Sequence, residues 1–351
     1  MAGRRRWAAT LAVTLCALVA CSGAGPKSVG EAVTAEPTPT PTPTPTAEPT
    51  EPVATWPLTG LPMEEGESRP AVAVKIENTA MARPQTGLDE ADVVWEEMVE
   101  GGITRFNAIF HSRLPEVVGP IRSLRPMDAG IVGSLGGPQV ISGGQQLFLS
   151  SVREAGIQLI SHDAGDAGFF RSSDRRAPHN LYGRTADFLA QAGAADPPPE
   201  QFAFAAEADG ATAVRAGEPA TAVRLRFPQT SPGWTWDPEG GRWERDEAGS
   251  AATTPEGAVL GAQNVVVLRV QVVASAGRDQ SGNAVPETVM TGTGEALVAS
   301  AGHTVAATWS KPDVGDPVTL TAADGTDVEL APGSTWVELV PVDRGGVDVE
   351  R

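Results

Sequence analysis

The sequence predicts an α+β protein, with an α/β-type N-terminal domain over residues 56–195 followed by a β-rich C-terminal domain over residues 223–342. Three observations carry this. The first region orders strand, Gly-Gly, helix and strand along the chain, which favours layered α/β packing. The second is a series of β-branched runs separated by short Gly-containing turns. Between them Pro197-Pro198-Pro199 marks a boundary, and residues 196–222 read as the interdomain linker, with 343–351 as a tail. A length of 351 residues accommodates two domains at roughly 100–200 residues each.

In the first region Ala71 to Ile76 reads as a strand, apolar except for Lys75. Val93 to Val99 and Ile103 to Phe110 are two further apolar runs around Glu100-Gly101-Gly102, the pattern of a hairpin. Val117 to Ile121 is expected as a short strand. Pro126 suits a first helical turn, predicting a helix over 126–135. Val140-Ile141 precedes Gly143-Gly144, and residues 145–155 carry Leu147, Leu149 and Val152 at helical spacing. Ile157 to Ile160 reads as the next strand. In the second region the β-branched run Val265 to Val273 is the pattern of a buried strand. Residues 296–300 and 304–309, and residues 318–321 and 328–330, predict two hairpins, and 335–340 a last strand. Trp234 and Trp236, at period two, either complete a small β core or form an exposed platform for stacking sugars.

Ahead of these regions lies an address. Arg4, Arg5 and Arg6 precede an uncharged stretch, Trp7 to Ala20, shorter than the roughly 20 residues a transmembrane helix needs. It ends in Leu18-Val19-Ala20-Cys21, which resembles a bacterial lipobox. On this reading residues 1–20 are a signal peptide and Cys21 accepts the lipid, which puts the protein on the extracytoplasmic face of a membrane. An ordinary secretory signal is the alternative, and the arginines leave Sec and twin-arginine export both open. Residues 22–55 are rich in Pro and Thr, with an unbroken Thr-Pro alternation from Thr38 to Thr46. Proline fixes φ and removes donors, so this stretch is expected to extend as polyproline II. At about 3.1 Å per residue some 30 residues reach roughly 90 Å if fully extended; the alternative is a disordered tail without a spacing role.

Charge narrows the partners. The formal net charge is −18, whereas nucleic-acid binding needs a basic footprint. The only cysteines, Cys16 and Cys21, exclude a disulfide scaffold. Residues 105–184 depart from the acidic background, holding nine arginines against six acids and three of the four histidines. Guanidinium forks match phosphate and carboxylate oxygens bidentately. Arg105, Arg122, Arg125 and His179 are therefore candidates to converge on an anion, with Asn180 as an orienting partner. Glu97 and Glu100 are candidate carboxylates for acid–base chemistry on a glycan. If Glu96 to Glu100 form one strand, Glu96 and Glu100 share a face opposite Glu97. The opposing reading makes Arg105 and Arg122 internal ion-pair partners of Glu97 and Glu100.

Enzyme and cofactor motifs are sparse. No Walker loop, dinucleotide fingerprint, Gly-x-Ser-x-Gly elbow, His-Glu-x-x-His or Cys-x-x-Cys occurs, and no cofactor is implied. His162, Asp163 and Asp166 have no standard metal spacing, and no metal is expected.

Pro57-Leu58-Thr59-Gly60, Arg83-Pro84-Gln85, residues 99–105 (VEGGITR), Gly119-Pro120-Ile121-Arg122-Ser123, Arg125-Pro126 and residues 177–181 (APHNL) resemble the YerB-like bacterial lipoproteins. The resemblance continues through Trp234 to Pro341. It implies an exported, membrane-anchored protein with an α/β first part and a β-rich second part, and it implies no reaction. A fainter similarity links the first region to the LytR-CpsA-Psr phosphotransferases, without their signature around the arginine. Two functions remain: a module binding an anionic or glycan envelope ligand, and an enzyme on envelope polymers, a phosphotransferase or glycan hydrolase.

If Leu18 to Cys21 is a lipobox, Cys21→Ala abolishes incorporation of a fatty-acid analogue in metabolic labelling. Label retained by that variant would exclude Cys21 as the acceptor.

Overall fold

A computed structural model describes residues 54–64 and 67–351. The expected lipobox, Cys21 and most of the Pro/Thr segment lie outside the described residues.

Alternating apolar residues build one long mixed sheet with a core on each face. Its strands from the first half are β1 (Val72–Glu77), β2 (Val93–Met98), β3 (Thr104–Phe110), β4 (Gln139–Ile141) and β5 (Leu159–Ser161). A second sheet contains β6 (Ala222–Arg226), β7 (Pro232–Asp237) and β8 (Arg242–Glu247). The chain then returns to the long sheet with β9 (Asn264–Val270), β10 (Gly292–Ser300), β11 (His303–Lys311) and β12 (Thr335–Pro341). Strand β13 (Gly346–Glu350) closes the second sheet against β6. In space the long sheet runs β11-β10-β9-β12-β2-β3-β1-β4-β5.

The hairpin expected around Glu100-Gly101-Gly102 is β2/β3, antiparallel with Val93 opposite Ile109 and Met98 opposite Thr104. The parallel run β1-β4-β5 carries the helices α1 (Asp128–Val132) and α2 (Gln146–Glu154) in its connections. Further on, α3 (Thr185–Gln191) and α4 (Thr212–Ala216) are short as well. The protein is thus mostly β with few helices, and the helix expected over 126–135 shrinks to residues 128–132. The strand expected over 117–121 shrinks to Val117–Val118. Residues 319–322 pair with β11, while 329–330 turn away to pair in parallel with 203–204, so the hairpin expected there is reduced to a bridge between Thr321 and Asp327.

The expected separation into two bodies needs correction. Strand β12, late in the chain, pairs in parallel with β2, placing Val93 opposite Thr335 and Glu96 opposite Glu338. The two halves therefore share one sheet, and the described residues form a single unit. Strand β12 is buried along its whole length, so its apolar run carries no local sign of which strand it joins.

Period two sorts the side chains. Val266, Leu268, Val337, Val93 and Ile109 face a core closed by Ile131 of α1 and by Phe148 and Val152 of α2. Val265, Val267, Trp336, Val94 and Phe106 face the opposite core, closed by Trp234 and Trp243 of the second sheet. Trp234 is fully buried and Trp236 lies half-buried at 5.4 Å from the Trp243 ring, so the stacking-platform reading is withdrawn in favour of the core one.

Between the sheets sits Arg245, fully buried. It donates to Glu338 at 2.9 Å, to Glu96 at 2.7 Å and to Glu247 at 2.8 Å. Its guanidinium carbon lies 4.9 Å from the Trp336 ring centre and 5.3 Å from that of Trp234. Burial, and after it the charge of Glu96, pushes the Glu338 carboxyl well up despite Arg245.

Because the sheet is continuous, chains cut between residues 191 and 222 stay associated and unfold in one transition, measurable by size exclusion and calorimetry after limited proteolysis. Two fragments that separate and melt independently would contradict the shared sheet.

Candidate functional site

The site begins as one row across the long sheet. Register places Glu77 of β1, Arg105 of β3 and Glu97 of β2 side by side, on the face bearing Ala73, Trp95 and Ile109. The next row holds Lys75 opposite Asn107. Side chains two apart on a strand share a face, so a polar belt crosses this end of the sheet. The segment 119–128 covers it. Arg122 N–H donates to the Lys75 carbonyl at 2.9 Å, and Glu77 N–H to the Pro120 carbonyl at 2.9 Å.

Under that cover the charges sort into three groups. Deepest is Lys75, which bonds Glu97 and, at 2.6 Å, Asp128; all three are fully buried. Asp128 also accepts the Arg125 backbone N–H at 2.7 Å and Asn107 at 3.2 Å, and Asn107 donates to Gln139 at 3.0 Å. Burial and the neighbouring Asp128 charge push the Glu97 carboxyl up to about 8, against the lowering pull of Lys75. Glu97 is thereby a buried partner of Lys75 rather than of Arg105, and it has no access to a substrate.

The second group is built on Glu77. Arg122 reaches it at 2.9 Å and His179 Nδ1 at 2.7 Å, and the Thr79 hydroxyl donates to it at 2.6 Å. Burial opposes ionisation here, yet the Arg122 hydrogen bond and charge hold the Glu77 carboxyl below its ordinary value. Sequence reasoning passed over Glu77. Its only signal was its place, a carboxylate directly after an apolar strand. Asn180 does not join His179. It accepts from Arg171 at 3.0 Å and donates to the Ser172 carbonyl at 2.9 Å, closing its own loop.

The third group opens to solvent. Strand β2 ends at Met98, and Gly101 and Gly102 adopt φ of 73° and 75° in the turn to β3, a left-handed conformation that glycine takes without a Cβ penalty. The turn carries Glu100 off the strand, so it does not share a strand face with Glu96. Glu96 instead turns to Arg245 between the sheets. Glu100 accepts from Arg125 Nε at 2.7 Å, and that bond outweighs burial to hold Glu100 below its ordinary value. Arg105 donates to the Ser123 carbonyl at 2.9 Å and makes no ion pair with a described carboxylate. Burial, and next the charge of Arg125, lower it to about 10. The internal pairing expected of Arg105 with Glu97 or Glu100 is absent, and Arg122 takes Glu77.

Arg105, Arg125, Ser123 and Glu100 line a cleft of about 670 Å³ whose other wall is Arg278 and Asp279. The second wall belongs to a hairpin pairing residues 272–278 with 284–288, tied down where Gln145 donates to the Arg278 carbonyl at 2.7 Å. Gly144 and Gln145, just before α2, also line the cleft. It therefore lies beyond the carboxyl ends of the parallel strands β1 and β4, where open sheets commonly hold ligands.

Arg105 and Arg125 thus converge on the Ser123 carbonyl, while Arg122 and His179 belong to the Glu77 group rather than to the cleft. Arg278, far along the chain, was not legible as a site residue. Among the described residues no three metal-ligating side chains converge. His162 meets Asp163 at 3.3 Å, while Asp166 accepts the Ser161 N–H.

Glu97 has its carboxyl raised in the fold, so its contribution to stability is complete below about 4.5 and is lost as pH rises toward about 8. Glu97→Gln therefore flattens the fall in melting temperature between pH 5 and pH 8. A variant that falls in parallel with the parent would show that Glu97 holds no proton there.

Three comparisons place the chain among known proteins. Residues 58–197 match the family described as protein of unknown function (DUF3048), N-terminal domain, and residues 223–337 match its C-terminal domain. A Bacillus subtilis (strain 168) protein, YerB, described provisionally as a lipoprotein, is 39% identical over 129 residues. That match covers 36% of this chain and 39% of the relative's length. The crystal structure of YerB from Bacillus subtilis superposes with a TM-score of 0.71 at 25% identity, covering 84% of this chain and 99% of the other.

Proposed function

Since the chain belongs to the two-part YerB-like (DUF3048) family, we propose that it is an envelope lipoprotein whose folded part binds an oxyanion in the Arg105–Arg125–Arg278 cleft. The carrying observation is Arg105, a half-buried cation that meets only a backbone carbonyl and stands beside a second arginine. A partly desolvated charge without a counter-ion gains from one, and a phosphate or carboxylate oxygen in the cleft supplies it. Arg125 is held by Glu100 and its backbone by Asp128, so its guanidinium is oriented before any ligand arrives. Such pre-organisation favours affinity, because less side-chain freedom is lost on binding. Cys21 carries the lipid, residues 22–55 space the fold from the membrane, and the ligand is a phosphate- or carboxylate-bearing envelope component.

One observation favours a second reading, an enzyme on envelope polymers. Glu77 holds His179 by Nδ1 at 2.7 Å, the arrangement that orients an imidazole for proton transfer.

The test is titration of the full chain with inorganic phosphate and pyrophosphate, followed by calorimetry. Arg105→Gln weakens binding about ten- to hundredfold, the value of one charge-assisted hydrogen bond, and raises melting temperature or leaves it within a few degrees. Absence of saturable binding by the parent chain removes the anion reading. Turnover of an envelope polymer that is lost in His179→Gln favours the second.

A further inference from the structure

The arginine cleft does not end at Glu100. Val99, Glu100 and Asp279 line both it and a second cleft of about 560 Å³. The second has a different lining, with Pro228, Val272, Val273 and Pro286 supplying carbon surface. One cation lines it, Arg344, which already lies 3.3 Å from Asp343.

The 272–288 hairpin belongs to neither principal sheet and pairs only with itself. It walls both clefts, presenting Arg278 to the first and Val272 and Val273 to the second. Val273 stands 48% exposed, one of few large apolar side chains so placed among the described residues. A lone exposed valine needs no explanation. This one stands in the wall of an apolar cleft whose neighbour holds three arginines.

We propose that the two clefts form one groove for an amphiphile, with an oxyanion head among Arg105, Arg125 and Arg278 and an apolar chain laid against Pro228, Val272 and Val273. This rests on the anion reading above and extends it from an anion to an anion bearing a hydrocarbon substituent. Charge complementarity fixes the orientation. The head meets three guanidinium groups in the first cleft, while Glu100 and Asp279 stand where the clefts join and repel a second anionic group there. A polyanionic chain running through both clefts is disfavoured by the same two carboxylates. An amphiphile passes them with its uncharged part.

The experiment compares inorganic phosphate with a series of n-alkyl phosphates, from ethyl to octyl, each kept below its micelle concentration and titrated into the full chain. The expected result is a dissociation constant that tightens about fourfold for each methylene that reaches the apolar surface, until the groove is full. Val273→Asp reduces the ratio of octyl to ethyl affinity to near one, and Val273→Leu restores it. Phosphate and all alkyl phosphates binding with equal affinity would overturn the amphiphile proposal while leaving the anion site standing. Binding that improves with chain length equally in the parent and in Val273→Asp overturns it too, since the chain then lies elsewhere. If neither phosphate nor alkyl phosphate binds, both readings fall together.

Discussion

The parallel pairing of β2 with β12 sets Glu96 directly opposite Glu338, with both carboxylates turned into the space between the sheets. Two buried acids a strand-spacing apart repel, and desolvation adds to the cost. Arg245 resolves this. Coming from the second sheet, it donates to both and to Glu247, while Trp234 donates to Glu338. The aromatic rings of Phe106, Trp234 and Trp336 surround the guanidinium, an arrangement that suits a weakly hydrated planar cation. Removing either partner strands the other, and breaking a buried pair of this kind costs about 3–5 kcal/mol. Joining the strands and joining the sheets are thus one interaction, and everything on the other face of the long sheet inherits its position from it.

That other face holds the candidate site. The row Glu77, Arg105, Glu97 alternates acid and base across three adjacent strands, and simple neighbour pairing would give Arg105 a carboxyl on each side. The covering segment prevents this. Arg122 draws Glu77 to one side, and Lys75 with Asp128 draws Glu97 to the other. Arg105 is left with a carbonyl. The surplus of positive charge in the cleft therefore arises from competition among ion pairs rather than from arginine count. Two of the stretches that resemble the YerB-like family, residues 99–105 and 119–123, supply the turn and the cover that produce it.

Some of this was legible in the sequence. Alternation around Glu100-Gly101-Gly102 marked the β2/β3 hairpin, because a glycine pair between two apolar runs has few other uses. The concentration of arginines in residues 105–184 pointed to the correct region. Which arginine stays free of a carboxylate was not legible, since it depends on Glu77, Lys75 and Asp128 meeting through register and a covering loop. The single sheet was not legible either. Buried strands such as β9 and β12 read as continuous apolar runs whichever neighbour they take, so the Pro197-Pro198-Pro199 boundary, which falls where the two family domains meet, gave no sign that the two parts share one sheet. Trp234 was left open between core and platform for a related reason, because period two shows that a face exists but not what covers it.

The overall charge sharpens what the cleft has to do. A chain of net charge −18 repels an anion at a distance, although screening confines that repulsion to about 8 Å in physiological salt. Long-range steering, which speeds association for proteins of complementary charge, works against this one. Any anion must instead be retained by short-range contacts in a partly desolvated pocket, where guanidinium hydrogen bonds are strong and salt screens them little. Such a site favours ligands that arrive by another route than free diffusion, or that bring a second source of affinity. An apolar chain is one such source, because hydrocarbon contact is indifferent to the sign of the protein's field. On the proposal made above, the acidic surface and the arginine cleft are compatible parts of one device, in which distant charge rejects soluble polyanions while contact chemistry holds an anion carrying a hydrocarbon.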